Sequence, residues 1–257
     1  PETQQKQLDT TDEISGRYHI EFGKDKSKTM TIGKDKSRQE FKLGNMDIQY
    51  QEKYTYLGLV QNDKNKIGDH IKKMKGQVEG AYQKMIALMG NTVFQGIEME
   101  VAIEYCEKCM PIITTGGEAW TPTKYNYKEL NKIMDNILKR LLKTAKSTPR
   151  EALYMETGLA DPETFIKTKR ISYEHKSLNS DNETMKAIMR SDLKNGWAEC
   201  NKTIKEETNT AEIDRNQSKY RVKKQVKNKM KTYFKEKLES EAKNKSKIQS
   251  LINKSNG

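Results

Sequence analysis

Cysteine, proline and apolar residues are all scarce in this 257-residue chain. Three cysteines cannot build a disulfide framework, which points to a reducing, intracellular compartment. Hydrophobic residues make up only 33%, matched by 33% charged. That is thin for a compact domain and implies an elongated shape, a disordered share, or burial against something else. No apolar run approaches the roughly 18 residues needed to span a bilayer, so no membrane-spanning segment is expected. Pro1 to Gln5 show no signal-peptide pattern. They also lack an initiator Met, and the chain is expected to be an excerpt or a processed piece.

Catalytic signatures are missing as well. There is no HExxH, no glycine-rich phosphate loop and no nucleophile elbow. No Asp-Asp or Asp-x-Asp pair is present to hold two metal ions. Cys106 and Cys109 have the spacing of half a zinc site, but no second CxxC follows, and the pair reads as core cysteines on a helix. His70 reads as a solvated helix residue, and no partner for His19 or His175 can be read from the sequence. The sequons at Asn182 and Asn201 mean little without a secretion signal. By motif, the chain has no catalytic and no metal-binding residues.

What is abundant is positive charge. The net charge is +12 and the pI about 9.3, which makes a polyanion the default partner. From Asn201 to Gly257 there are 16 basic and 7 acidic residues, so this last segment supplies +9 of the +12. Between Lys219 and Lys237 nine cations face one acid, Glu236. In the same stretch Val222, Val226, Met230, Phe234 and Leu238 recur every four residues. That pattern predicts a helix with a narrow apolar seam that docks and aims its lysines outward. A nucleic-acid backbone, an anionic membrane surface or acidic partner, and a merely solvated helix all remain open for it.

Periodicity divides the rest of the chain. The hinge is Tyr54 to Val60, read as a strand carrying Tyr54, Tyr56 and Val60, with Gly58 where the backbone bends. Upstream, Leu8 to Gly16 reads as helix ending at Gly16. Ile20 with Phe22, and Met30 with Ile32, read as strands around a turn at Gly23 to Lys26. Gly44-Asn45 reads as a hairpin turn leading to Met46, Ile48 and Tyr50. The expectation is a small antiparallel sheet of about four strands.

Downstream, Ile67 to Met89 has helical period, with Lys72, Lys73, Lys75 and Lys84 on its other face. A second helix is expected from about Gly96 to a stop at Pro111. A third carries Leu130, Ile133, Met134, Ile137, Leu138, Leu141 and Leu142. Short helices follow after Thr148-Pro149 and Asp161-Pro162. Ser177 to Thr184 reads as linker, Met185 to Cys200 as one helix, and Thr203 to Gln217 as flexible. The fold class is α+β, mostly α, with domains at residues 1–62, 63–176 and 177–257.

Three segments in order resemble one family: Ile20 to Met30, Tyr54 to Gly58, and Pro111 followed by Gly117-Glu118-Ala119-Trp120-Thr121-Pro122-Thr123-Lys124. They look like the late palm, the palm–thumb joint and the thumb of reverse transcriptases from non-LTR (LINE-type) retrotransposons, and Ala152 to Gly158 matches the next family segment. Coverage runs roughly from Leu8 to His175. The resemblance implies that Lys26 approaches the phosphates of an incoming nucleotide. It implies that Tyr56, Leu57 and Gly58 form the primer grip, and that the helices to Leu142 hold a template–primer duplex.

The family's catalytic Tyr/Phe-Ala-Asp-Asp and fingers are absent, and Thr115 stands where family thumbs commonly carry an aromatic. Mg²⁺ is therefore expected only together with the missing palm residues, and no cofactor in this chain. The expected partners are an RNA template with a DNA primer, the remainder of the polymerase, or a ribonucleoprotein partner protein. The expected address is nuclear or ribonucleoprotein-associated. The residues expected to meet the nucleic-acid backbone are Lys72, Lys73, Lys75, Arg221, Lys223, Lys224, Lys227 and Lys231. The rival reading is a domesticated retroelement remnant serving as a scaffold.

Overall fold

A computed structural model of the chain describes residues 2–23, 26–32, 38–89, 97–190, 196–213 and 217–243. The fold is α+β and mostly helical. It divides into two compact units, Pro1–Lys73 and Met74–Gly257.

In the first unit, α1 (Glu2–Arg17) lies along β2 (Phe41–Leu43), which pairs antiparallel with β3 (Met46–Tyr50). The Gly44-Asn45 turn is as expected, and Gly44 has φ +55°. A side chain on Gly44 would also strike the Asp12 carboxylate, 2.6 Å from an ideal Cβ, so sterics and backbone both require glycine there. Phe41, Leu43 and Ile48 form a small core with Leu8 and Met46. The Gln5 side chain both donates to Lys42 O (2.9 Å) and accepts from Lys42 N (3.1 Å), occupying the open edge of β2 as another strand would.

Several expectations about this unit are corrected. Helix α1 runs through Gly16, and the left-handed residue beyond it is His19, with φ 54°. Ile20, Phe22 and Ile32 lie outside strands and are exposed. The strand β1 is only Lys28–Thr29, and it pairs parallel with β3, so this sheet is mixed. The hinge is not one strand. Lys53–Tyr56 (β4) and Leu59–Asn62 (β5) form a separate two-stranded hairpin. His70 is buried, and its Nδ1 accepts a bond from the Val60 N–H at 3.3 Å. Asn62, also buried, bridges Lys66 and Asp69 and so sets the entry to α2 (Gly68–Met89).

The second unit packs its helices around the stripe of α4 (Lys124–Leu141), where Leu130, Met134 and Leu138 are fully buried. A capping box of Thr123 and Asn126 starts α4. Helix α3 (Met99–Ile113) continues past Pro111 rather than stopping at it. Proline sits in the last turn, where losing one amide donor and crowding one carbonyl interrupts little of the helix. Helix α5 (Arg150–Thr157) ends on left-handed Gly158, and α6 (Pro162–Leu178) starts on Asp161, whose carboxylate accepts from the Thr164 N–H at 2.8 Å. Gly117 lies so close to Ile166 that an added Cβ would sit 2.8 Å from its side chain.

The later segments are more ordered than expected. Helices α7 (Glu183–Arg190) and α8 (Gly196–Glu207) stand where one helix was read, and Thr208 and Thr210 are buried in the stretch read as flexible. Lys24, Asp25, Gly96 and residues 191–195 and 214–216, on which parts of those expectations fall, lie outside the described residues. Helix α9 (Lys219–Lys243) packs on α5 and α6. Among the described residues no helix is long and apolar enough to cross a membrane.

Candidate nucleic-acid interface

Helix α9 exists because its four-residue apolar spacing can be buried. Val222, Val226, Met230, Phe234, Leu238 and Ala242 are all buried. Val222, Val226 and Met230 share a cluster with Ile171 and Ile204. The ring of Phe234 meets Tyr154 edge-on at 5.8 Å. The seam thus docks as the spacing predicted, and it decides which lysines face outward.

Two lysines of α9 are spent on docking. Lys237 Nζ lies 2.9 Å from Glu163 and 3.9 Å from Asp161. Glu163 also pairs with Lys167 at 2.9 Å, and Lys167 reaches Glu207 (2.8 Å) and the Tyr233 hydroxyl (3.0 Å). Asp161 in turn holds Arg150 at 2.9 Å. Burial by itself would lower Lys237 and Lys167, but the neighbouring carboxylates override it and raise both. Burial likewise pushes Glu163 up, and the charges of Lys237 and Lys167 outweigh it, leaving its carboxyl below the usual value. Lys229 donates to Asn209 O and pairs with Glu212 at 3.2 Å, on the side of α9 that carries Glu236.

Arg221, Lys223, Lys224, Lys227 and Lys231 are different. All five are exposed, and none holds an ion pair among the described residues. They lie away from the seam and form a basic surface on a helix that also spends Lys229 and Lys237 on carboxylates.

The remaining expected site residues belong mostly to the first unit, apart from Lys75, the second residue of the second unit. Lys26 is exposed, and its carbonyl accepts from the Tyr54 hydroxyl at 2.9 Å. The reading of Tyr54 to Val60 as one strand fails at Leu57, which lies between β4 and β5. Leu57 is 86% exposed with φ 48°, and Gly58 follows at φ 85°. Positive φ at both central residues is the signature of a type I′ turn, so this segment is a hairpin tip and not a continuous strand. Tyr56 is exposed as well, and Lys73 Nζ anchors the tip through Gly58 O at 3.0 Å. Lys72 and Lys75 are exposed on α2.

One functional-looking group escaped the sequence reading. Arg170 is wholly buried and donates to Asn201 Oδ1 (2.8 Å), Trp197 O (3.1 Å) and Trp120 O. Burial lowers its pKa. Its partners are neutral, and it ties α6 to α8 and to the loop before α4. Only the rarity of a fully buried arginine marks it, and that is not visible in sequence.

Among the described residues no group of three His, Cys, Asp or Glu side chains could hold a metal ion. No family model, curated protein or solved structure matches this chain.

Proposed function

We propose that this chain is a carboxy-terminal part of a non-LTR-type reverse transcriptase that grips a template–primer duplex through its backbone, catalysis being supplied by residues outside it. The basic face of α9 carries the proposal: five exposed cations without ion pairs among the described residues, on a helix held in place by a buried seam. The order of the family-like segments supports the identity, and the exposed hairpin tip at Tyr56 and Leu57 supports a contact role there. A nuclear or ribonucleoprotein address belongs to the same proposal.

Each lysine that meets a phosphate releases condensed cations, so affinity should fall with salt. Four or five such contacts give a slope of log K against log salt of about −4. Contacts of this kind read backbone and not bases, so sequence preference should be slight. The test is binding of an RNA·DNA hybrid across a salt series, by the wild type and by a variant with Lys223, Lys224, Lys227 and Lys231 changed to Gln. The expected result is weaker binding and a shallower slope for the variant. Equal affinity and equal slope would overturn the role of α9 and favour a scaffold. The chain by itself is expected not to extend a primer.

A further inference from the structure

Tyr220, 75% exposed, opens α9 one residue after its start. Tyr220, Lys224, Lys227 and Lys231 follow one another at spacings of four, three and four residues, so they share one face of the helix. That face is turned away from Val222, Val226 and Met230, which are buried. All three lysines are exposed and hold no ion pair among the described residues. From Tyr220 to Lys231 the helix rises about 16 Å, roughly the length of five stacked nucleotides.

We infer that this stripe takes single-stranded nucleic acid, with Tyr220 stacking on an unpaired base and Lys224, Lys227 and Lys231 following the phosphates. The inference rests on the nucleic-acid reading of α9 and adds to its duplex contact an unpaired strand beside the duplex. Inside a duplex every base face is already covered by its neighbours, so a phenol ring beside a phosphate track gains nothing there. An unpaired base presents a free π-face, and stacking on it tolerates any sequence. Cations and an aromatic on one line are the pairing that single-strand binders use. An acidic peptide would satisfy the lysines but leave the ring without a partner.

The test uses the full chain and three fluorescent probes: a single-stranded oligothymidylate, a blunt RNA·DNA hybrid and a polyglutamate peptide. Tyr220→Ala should lower the ratio of single-strand to hybrid affinity about tenfold, the scale of one lost base stack, with an unaltered salt slope. Tyr220→Phe, which keeps the ring, should restore the ratio. The inference is overturned if Tyr220→Ala leaves the ratio unaltered while both nucleic acids bind, or if the wild type binds the hybrid and not the single strand. Binding of polyglutamate with neither nucleic acid bound would overturn both this inference and the reading beneath it. Circular dichroism of each variant separates loss of α9 from loss of the ring.

Discussion

Leu57 and Gly58 share a two-residue turn that only one of them suits. At φ 48° an ordinary L-residue gives up about 1–2 kcal/mol against a right-handed conformation, and Leu57 gains nothing in return from burial, being 86% exposed. Leu57→Asn, which makes an Asn-Gly turn, should therefore raise stability by roughly 0.5–1 kcal/mol. Gly58→Ala meets no atom within 4 Å, so its cost is backbone strain alone, about 1 kcal/mol. Thermal melts of both variants check the pair; a lower midpoint for Leu57→Asn would mean that Leu57 makes packing contacts after all. A large exposed apolar side chain kept in a strained conformation fits a surface that meets something else. This turn was illegible in the sequence because Leu gives no left-handed signal: it hid the break between β4 and β5 and made two strands read as one.

At the scale of elements, legibility followed the kind of residue that each one buries. Helices α4 and α9 bury Leu130, Leu138, Val226 and Phe234 on clean helical spacings, and α6 announces its start with Asp161-Pro162. Helix α8 buries Asn201 and Ile204 and is followed by buried Thr208 and Thr210, so a hydrophobic pattern could not find it. The network that fixes α9 was invisible for the same reason, since Glu163, Lys167 and Lys237 look like surface charges until the fold places them together. Its pH dependence follows from the signs. Glu163 lies below its ordinary 4.5, so its contribution is full above that pH and is lost as pH falls. Lys237 lies above its ordinary 10.5, so its contribution is full below that value and lost at higher pH. Asp135, raised by burial above its ordinary 3.8, acts oppositely: its ionisation costs stability that acidification restores. Glu163→Gln should therefore flatten the fall in melting temperature between about pH 5 and pH 3 relative to the wild type. Parallel acid limbs would show that the Glu163–Lys237 pair adds nothing to stability.

Across the whole molecule, 33% hydrophobic residues are divided unequally between two units. The second unit assembles apolar residues from α3, α4, α5, α6 and α9 and adds polar interior groups such as Arg170, Asp161 and Lys167, which stretch a thin apolar supply. The first unit buries Phe41, Leu43 and Ile48 with help from Leu8 and Met46, on sheets of three and two strands. A core that small sustains less stability than a helical bundle of several layers. The two units should therefore open at different free energies, the first lower. Native-state hydrogen exchange measures this directly: amides of β2 and β3 should exchange faster than those of α4 and α6. Phe41→Ala, a cavity change costing about 3–5 kcal/mol, should collapse protection in β2 and β3 while amides of α4 keep theirs. If protection in α4 fell by the same amount, the chain would unfold as one cooperative body. The nucleic-acid surface on α9 could then not outlast damage to the hairpin unit, whereas independent units predict that Phe41→Ala keeps its affinity for an oligonucleotide.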